Sequence, residues 1–318
     1  MIFVTGATGF VGRALVSALL AMGNDIKVLV RQESTDLSDN VQQIQGSLES
    51  IQALNSSLTN VNVLIHCAAR VHIMDDPAAD SLIEFRKVNV DATLNLARQA
   101  SEAGVKRFIF LSSIKVNGEI TSDGQTFKDD DTYIPTDPYG LSKYEAEQGL
   151  LALARETGME VVIIRPPLVY GPNVKANFAS MMKWVSKGIP LPLGAINNQR
   201  SLVALDNLVS FIIQCIEHPK AANEVFLISD GDDVSTSDLL RRVAKAFDKK
   251  SWLVPVPVWL MAIAAKLIGK GDMASRLFSS LQIDNSKARN LLDWKPVITM
   301  GEQLKKTADA YLKHEKTL

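Results

Sequence analysis

The segment Thr5-Gly6-Ala7-Thr8-Gly9-Phe10-Val11-Gly12 constrains the fold of this chain more than any other. It follows the apolar run Ile2-Phe3-Val4 and opens a stretch of helical periodicity over 11–22. Three glycines spaced G-x-x-G-x-x-G at a strand-to-helix junction allow a tight turn, a close backbone approach to a phosphate, and a helix lying flat on the sheet. The free N–H groups that begin such a helix favour a pyrophosphate charge. Gly6, Thr8, Gly9, Phe10, Val11 and Gly12 are therefore candidate dinucleotide-binding residues.

Downstream, short apolar runs at 26–31, 41–45, 61–66, 107–112 and 161–165 alternate with helical patterns at 82–102 and 139–156. Strands alternating with helices imply right-handed crossovers and a parallel sheet covered on both faces. The expected class is α/β, a Rossmann-like doubly wound parallel sheet with a smaller C-terminal substrate lobe. After Pro166-Pro167 the rhythm loosens, but a helix at 206–217 and a strand-like run at 224–229 can return to the sheet. The dinucleotide domain is thus expected over 1–166 plus about 202–230, and the substrate lobe over about 167–201 plus 231–318.

The bulk properties exclude several classes. Formal net charge is −1, from 34 Lys+Arg and 35 Asp+Glu, which leaves no overall electrostatic footprint for nucleic acid or an anionic membrane. Two cysteines, Cys67 and Cys215, have no metal-ligand spacing and read as buried thiols, so no metal site is expected. The first strand begins at residue 2, leaving no room for a signal peptide, and a cytoplasmic location is the expectation. The apolar stretch 258–268 is too short to span a bilayer and reads as a helix packed in the C-terminal lobe, with a membrane-surface helix as the other reading.

Tyr139 and Lys143 stand four apart within Pro138-Tyr139-Gly140-Leu141-Ser142-Lys143. On a helix that spacing puts phenol and ammonium on one face. The ammonium is expected to lower the phenol pKa, so that Tyr139 can shuttle a proton at a substrate oxygen.

The string Tyr-Gly-x-Ser-Lys-x-x-Ala-Glu at 139–147 and the glycine motif resemble the extended short-chain dehydrogenase/reductase family, in its NAD-dependent epimerase/dehydratase branch. The resemblance runs from Gly6 to Trp294. It implies that Ser113, at the end of the fifth strand, joins Tyr139 and Lys143 as the catalytic hydroxyl, with Ser112 as the alternative. It implies that Cys67, Ala68 and Ala69 line the nicotinamide ribose, that Ser47 and Leu48 lie near the adenine, and that Pro166 approaches the carboxamide. Where NAD-preferring members carry an acidic residue after the second strand, this chain has Arg31. An arginine can pair with a 2′-phosphate, which favours NADP over NAD, or it can stack on adenine or face solvent.

Within the family the chain looks closest to UDP-hexose 4-epimerases and 4-ketoreductases of bacterial surface polysaccharide synthesis. That implies a UDP-sugar substrate held by Lys115, Asn177, Phe178, Arg200 and Arg276, and a homodimer paired through the helices at 82–102 and 139–156. A dehydratase fits less well, because the acid–base pair of that branch is replaced by Ile114 and Lys115. A non-catalytic NADP-binding sensor on the same fold is the competing function, and such proteins typically lack the tyrosine and lysine found here. A membrane-associated interaction protein rests only on 258–268.

Overall fold

The strands most deeply enclosed are rich in Val, Ile and Phe at consecutive positions, as a parallel sheet covered on both faces requires. A computed structural model describes residues 1–49, 54, 56–71, 81–269 and 271–317. In it β1 (Ile2–Thr5), β2 (Ile26–Val30), β3 (Val41–Gln45), β4 (Val63–His66), β5 (Arg107–Leu111), β6 (Glu160–Arg165) and β9 (Val225–Leu227) form one parallel sheet. Their order is β3-β2-β1-β4-β5-β6-β9. β3, at one edge, carries three glutamines among its five residues and is only partly buried. The strand order reverses between β1 and β4, where Thr5 lies beside His66. In an open α/β sheet the ligand crevice forms beyond the carboxyl ends of the strands at this switch point.

Successive residues of each strand serve opposite layers. Val4, Ile65, Ile109 and Ile164 pack on α1 (Phe10–Ala21) and α6 (Leu205–Glu217). Phe3, Leu64, Phe108 and Ile163 pack on α3 (Ala92–Glu102) and α4 (Pro138–Thr157). The expected single helix over 82–102 is interrupted: α2 (Ser81–Arg86) passes through a π turn at Lys87–Asp91 before α3 begins. Such wide turns recur at functional sites because they redirect one side chain without ending the helix.

The lobe has its own small sheet, β7 (Leu168–Tyr170) beside β8 (Leu202–Ala204), three residues each. Its core gathers Tyr170, Phe178, Met182, Leu240, Val243 and Leu304 from β7, α5 (Ala176–Ser186), α7 (Thr236–Ala246) and α11 (Met300–Thr317). α10 (Ser286–Leu292) instead joins the sheet's α1–α6 layer through Ala288 and Leu292.

α8 (Val258–Leu267) departs from expectation. It leads towards α9 (Gly271–Phe278), but not one of its residues is buried. Val258, Met261 and Ala265 are half-buried on its inner side, while the bulkier Trp259, Leu260, Ile263 and Leu267 face outward. No described helix is long and apolar enough to cross a membrane.

Candidate active site

Two backbone contacts shape the cofactor end. Gly6 has φ +71°, and a Cβ there would stand 2.7 Å from Ala68 N. A Cβ on Gly12 would stand 2.1 Å from Gly6 O. Neither position can hold a side chain without moving backbone, so turn, helix and the end of β4 are locked together. α1 starts at Phe10 with Gly9 as N-cap and no capping side chain. Thr8 and Gly9 are exposed, while Phe10 and Val11 rest partly on the core. This cradle of glycine backbone and helix N-terminus fits a dinucleotide pyrophosphate. Cys67, Ala68 and Ala69 form a half-buried lip just after β4. Ser47 and Leu48 follow β3, and Leu48 packs against the sheet. Arg31 is exposed at the end of β2.

His66 supports this junction from within. Fully buried, it lies between Thr5 Oγ1, 2.6 Å from Nδ1, and Thr93 Oγ1, 2.9 Å from Nε2. Burial, assisted by the nearby Lys143 charge, pushes its pKa down to about 3, so the ring is neutral.

α4 presents Tyr139 and Lys143 because its start is well specified. Asp137 is the N-cap and accepts a hydrogen bond from Gly140 N at 3.0 Å, and Pro138 occupies the first turn. Gly140 lets that turn lie against the chain at Lys115, whose carbonyl would be 3.0 Å from a Cβ. Ser113 lies beside the Tyr139 phenol. Lys143 donates to Leu111 O at 2.9 Å and stands 4.4 Å from the centre of the Phe110 ring.

Burial pulls the Lys143 pKa down to about 8, against the raising effect of Glu147 and Cys67. It pushes the Tyr139 phenol up to about 12, opposed by the Ser113 hydroxyl and reinforced by Asp137. Desolvation dominates, and the lysine is held by a backbone carbonyl. The Cys67 thiol, also desolvated, is pushed up to about 12 and stays protonated.

Ser112 and Ser113 face different partners. Ser112 donates to the buried carboxylate of Glu147, which is bound by Arg165 at 2.5 Å. Arg165 also donates to Asn117 Oδ1 at 3.0 Å, and Asn117 Nδ2 reaches Lys128 O at 2.6 Å. Ser112 is committed to this internal network, and Ser113 is the one beside Tyr139. Asn89, in the π turn, donates to Ser142 Oγ and Arg70 O, each at 3.0 Å, and accepts from Arg70 N at 2.8 Å. It ties the chain after β4 to α4. Pro166 is buried after β6, and its carbonyl accepts from Ile114 N at 3.0 Å.

The expected substrate residues fall into two groups. Lys115 Nζ is 6.0 Å from the Tyr139 ring centre and pairs with Glu119 at 2.5 Å and Asp137 at 3.2 Å. Arg276 reaches the same Glu119 carboxylate at 3.3 Å. Arg200 donates to the carbonyls of Arg276 and Ser279 at 2.6 and 3.0 Å, holding the end of α9. Those three therefore converge. Asn177 is exposed in the first turn of α5, and Phe178 turns into the lobe core, stacked on Tyr170 with ring centres 5.7 Å apart. Phe178 is too apolar to stay in a polar cleft, so its side chain packs rather than lining the site.

Glu119, Glu147, Asn117 and Arg165 were not singled out from the sequence as site residues. Only the Asp137-Pro138 helix start carried a local signal that could have been read.

A glycine turn, a lip at the strand-order switch and a helix-borne Tyr-x-x-x-Lys pair beside a serine define a dinucleotide-dependent enzyme of the short-chain dehydrogenase/reductase class. The family model of the NAD dependent epimerase/dehydratase family matches residues 2–229, and the chain belongs to that family. It is 51% identical over 312 residues to a UDP-glucose 4-epimerase of Vibrio cholerae, covering 98% of this chain and 95% of that protein. The crystal structure of a Thermotoga maritima UDP-glucose 4-epimerase with UDP-glucose superposes with TM-score 0.77 at 25% identity, covering 99% of both chains. A Bacillus cereus UDP-glucuronic acid 4-epimerase in complex with NAD superposes with TM-score 0.79 at 21% identity, covering 98% of both chains, a likeness of fold.

Proposed function

We propose that this chain is a UDP-hexose 4-epimerase that uses NAD(P) to exchange hydride at carbon 4 of the sugar. The observation that carries the reading is the placement of Ser113 beside Tyr139 with Lys143 one helical turn farther on, in a chain half identical to a UDP-glucose 4-epimerase. Gly6, Gly9, Gly12 and the α1 N-terminus would hold the pyrophosphate, and the lip at Cys67–Ala69 the nicotinamide ribose. The dinucleotide, when bound, supplies hydride exchange and a positive charge close to the phenol.

Within that frame Tyr139 moves the proton of the C4 hydroxyl. Its phenol, pushed up by burial, is a ready donor to a C4 oxyanion, and the added positive charge favours the reverse transfer. Ser113 Oγ hydrogen-bonds the same oxygen. Lys143 holds positive charge beneath the pair while keeping its bond to Leu111 O. Lys115, Arg200 and Arg276 serve the diphosphate of the UDP moiety, with Asn177 at the rim. The homodimer would form through α2, α3 and α4, and the cytoplasm, where UDP-sugars are made, is the proposed location.

Arg31 favours a second reading, a 4-ketoreductase taking exchangeable NADPH, because it stands exposed at the end of β2 where a 2′-phosphate would lie. One experiment separates the epimerase from both the reductase and the non-catalytic sensor. Purified protein is incubated with UDP-galactose and no added dinucleotide, and the sugar is followed by NMR. The epimerase interconverts it with UDP-glucose. Tyr139→Phe should lower turnover about 10²–10⁴-fold while leaving dinucleotide affinity nearly unchanged. Normal turnover in that variant would overturn the mechanism, and no conversion by the wild type would leave the reductase or sensor.

A further inference from the structure

α8 is apolar on its outer side. Trp259, Ile263 and Leu267 recur every four residues and form one stripe, and Leu260 and Ile268 form the neighbouring one. Leu267 is 82% and Trp259 63% exposed. Just upstream, Trp252 is 63% exposed and its carbonyl is bonded to Leu191 N at 2.9 Å, which fixes the segment to the lobe. Contiguous exposed apolar side chains of this composition are characteristic of a docking site.

The charges around the patch say what it fits. Residues 248–272 carry four lysines, Lys249, Lys250, Lys266 and Lys270, against two aspartates at the ends, Asp248 and Asp272, in a chain whose net charge is −1. Lys250 and Lys266 are exposed. A lysine-rich surface led by two tryptophans complements an anionic lipid headgroup layer, where indole rings and aliphatic side chains sit at the acyl boundary and ammonium groups at the phosphates. The ten residues of α8 span about 15 Å, half a bilayer core, so the helix lies on the surface rather than crossing it.

We propose that α8 and the segment from Trp252 dock the enzyme on an anionic phospholipid membrane. α8 runs into α9, whose Arg276 pairs with Glu119, which in turn holds Lys115 beside Tyr139. The docked surface is therefore joined directly to the proposed substrate cleft, and the sugar nucleotide is handled at the membrane face.

The test is co-sedimentation of the full chain with phosphatidylcholine vesicles and with mixed phosphatidylcholine–phosphatidylglycerol vesicles, with sedimentation velocity in parallel. The wild type should sediment with the anionic vesicles and be released by salt. Trp259→Glu combined with Leu267→Glu should cut binding about tenfold or more. Lys250→Glu and Lys266→Glu should each cut it about fivefold. Both sets should leave thermal stability and epimerase turnover unchanged, since these side chains are exposed and none belongs to the proposed catalytic or substrate-binding residues. Failure of the wild type to bind, or equal binding by the α8 variant, overturns the proposal. So does self-association that the α8 variant abolishes, which would make a second copy the occupant. Loss of epimerase activity with membrane binding retained would instead count against the proposed function alone.

Discussion

The two ends of the cleft are built from different materials. At the cofactor end, backbone meets backbone: Gly6 against Ala68, Gly12 against Gly6, with His66 buried beneath. At the substrate end, charged side chains meet one another in partly exposed positions, with Glu119 shared by Lys115 and Arg276 and Arg200 leaning on α9 carbonyls. The first arrangement admits few sequences. The second can be rebuilt by exchanging surface residues, which suits a family whose members bind related cofactors but varied sugars.

Perturbing each end in turn breaks or sharpens this contrast. The largest effect is expected just below the cleft, where Glu147→Ala would leave the Arg165 guanidinium buried without its carboxylate. Loss of one partner of a buried pair costs about 3–5 kcal/mol. Chemical denaturation measures it, and a change below about 1 kcal/mol would show that the network tolerates a missing member. Next comes Gly12→Ala, whose added carbon meets a carbonyl oxygen that cannot move independently of the turn. A loss of about 2–3 kcal/mol is expected, together with weakened dinucleotide binding. An unaltered melting temperature would refute the rigidity assigned to the cofactor end.

Arg31→Asp tests the proposed pairing of the Arg31 side chain with a 2′-phosphate. If the guanidinium pairs with a 2′-phosphate, calorimetric titration should show NADPH bound more tightly than NADH by the wild type. The preference should reverse in the variant, with a loss of roughly ten- to a hundredfold for NADPH. Equal affinities in the wild type would remove the case for NADP. The smallest effect belongs to Glu119→Gln. It frees Lys115 and Arg276 from a half-exposed carboxylate, so stability should change by less than about 1 kcal/mol. The KM for a UDP-sugar should fall, because two cations lose a competing anion while kcat stays nearly constant. An increase in KM would mean that Glu119 positions the cations rather than competing for them.

The same contrast explains what could be read in advance. The glycine turn, β1 to β6 and the Tyr139–Lys143 pair were legible because each is encoded locally, by spacing or by a run of four to six apolar residues. The return of β9 to the sheet was equally visible in its short apolar run. β7 and β8 were not legible: β7 is confined between Pro166-Pro167 and Gly171-Pro172, and β8 runs straight into α6. The Ser112–Glu147–Arg165–Asn117 network stayed hidden because its members come from four segments and look ordinary singly. Phe178 and α8 were misjudged for one reason: an apolar residue's partners, or lack of them, are decided by how the lobe folds over it.

That buried network bears on how such an enzyme can be altered. Its four members span the end of β5, the loop that follows, the middle of α4 and the end of β6. Grafting the tyrosine-bearing helix onto a related scaffold would carry Glu147 without guaranteeing its arginine, serine or asparagine. The inheritable unit is therefore larger than the motif that advertises it. A chimaera that transfers residues 112–117, 138–157 and 160–165 together should keep the phenol aligned, whereas one that moves the helix alone imports a charge with nowhere to rest.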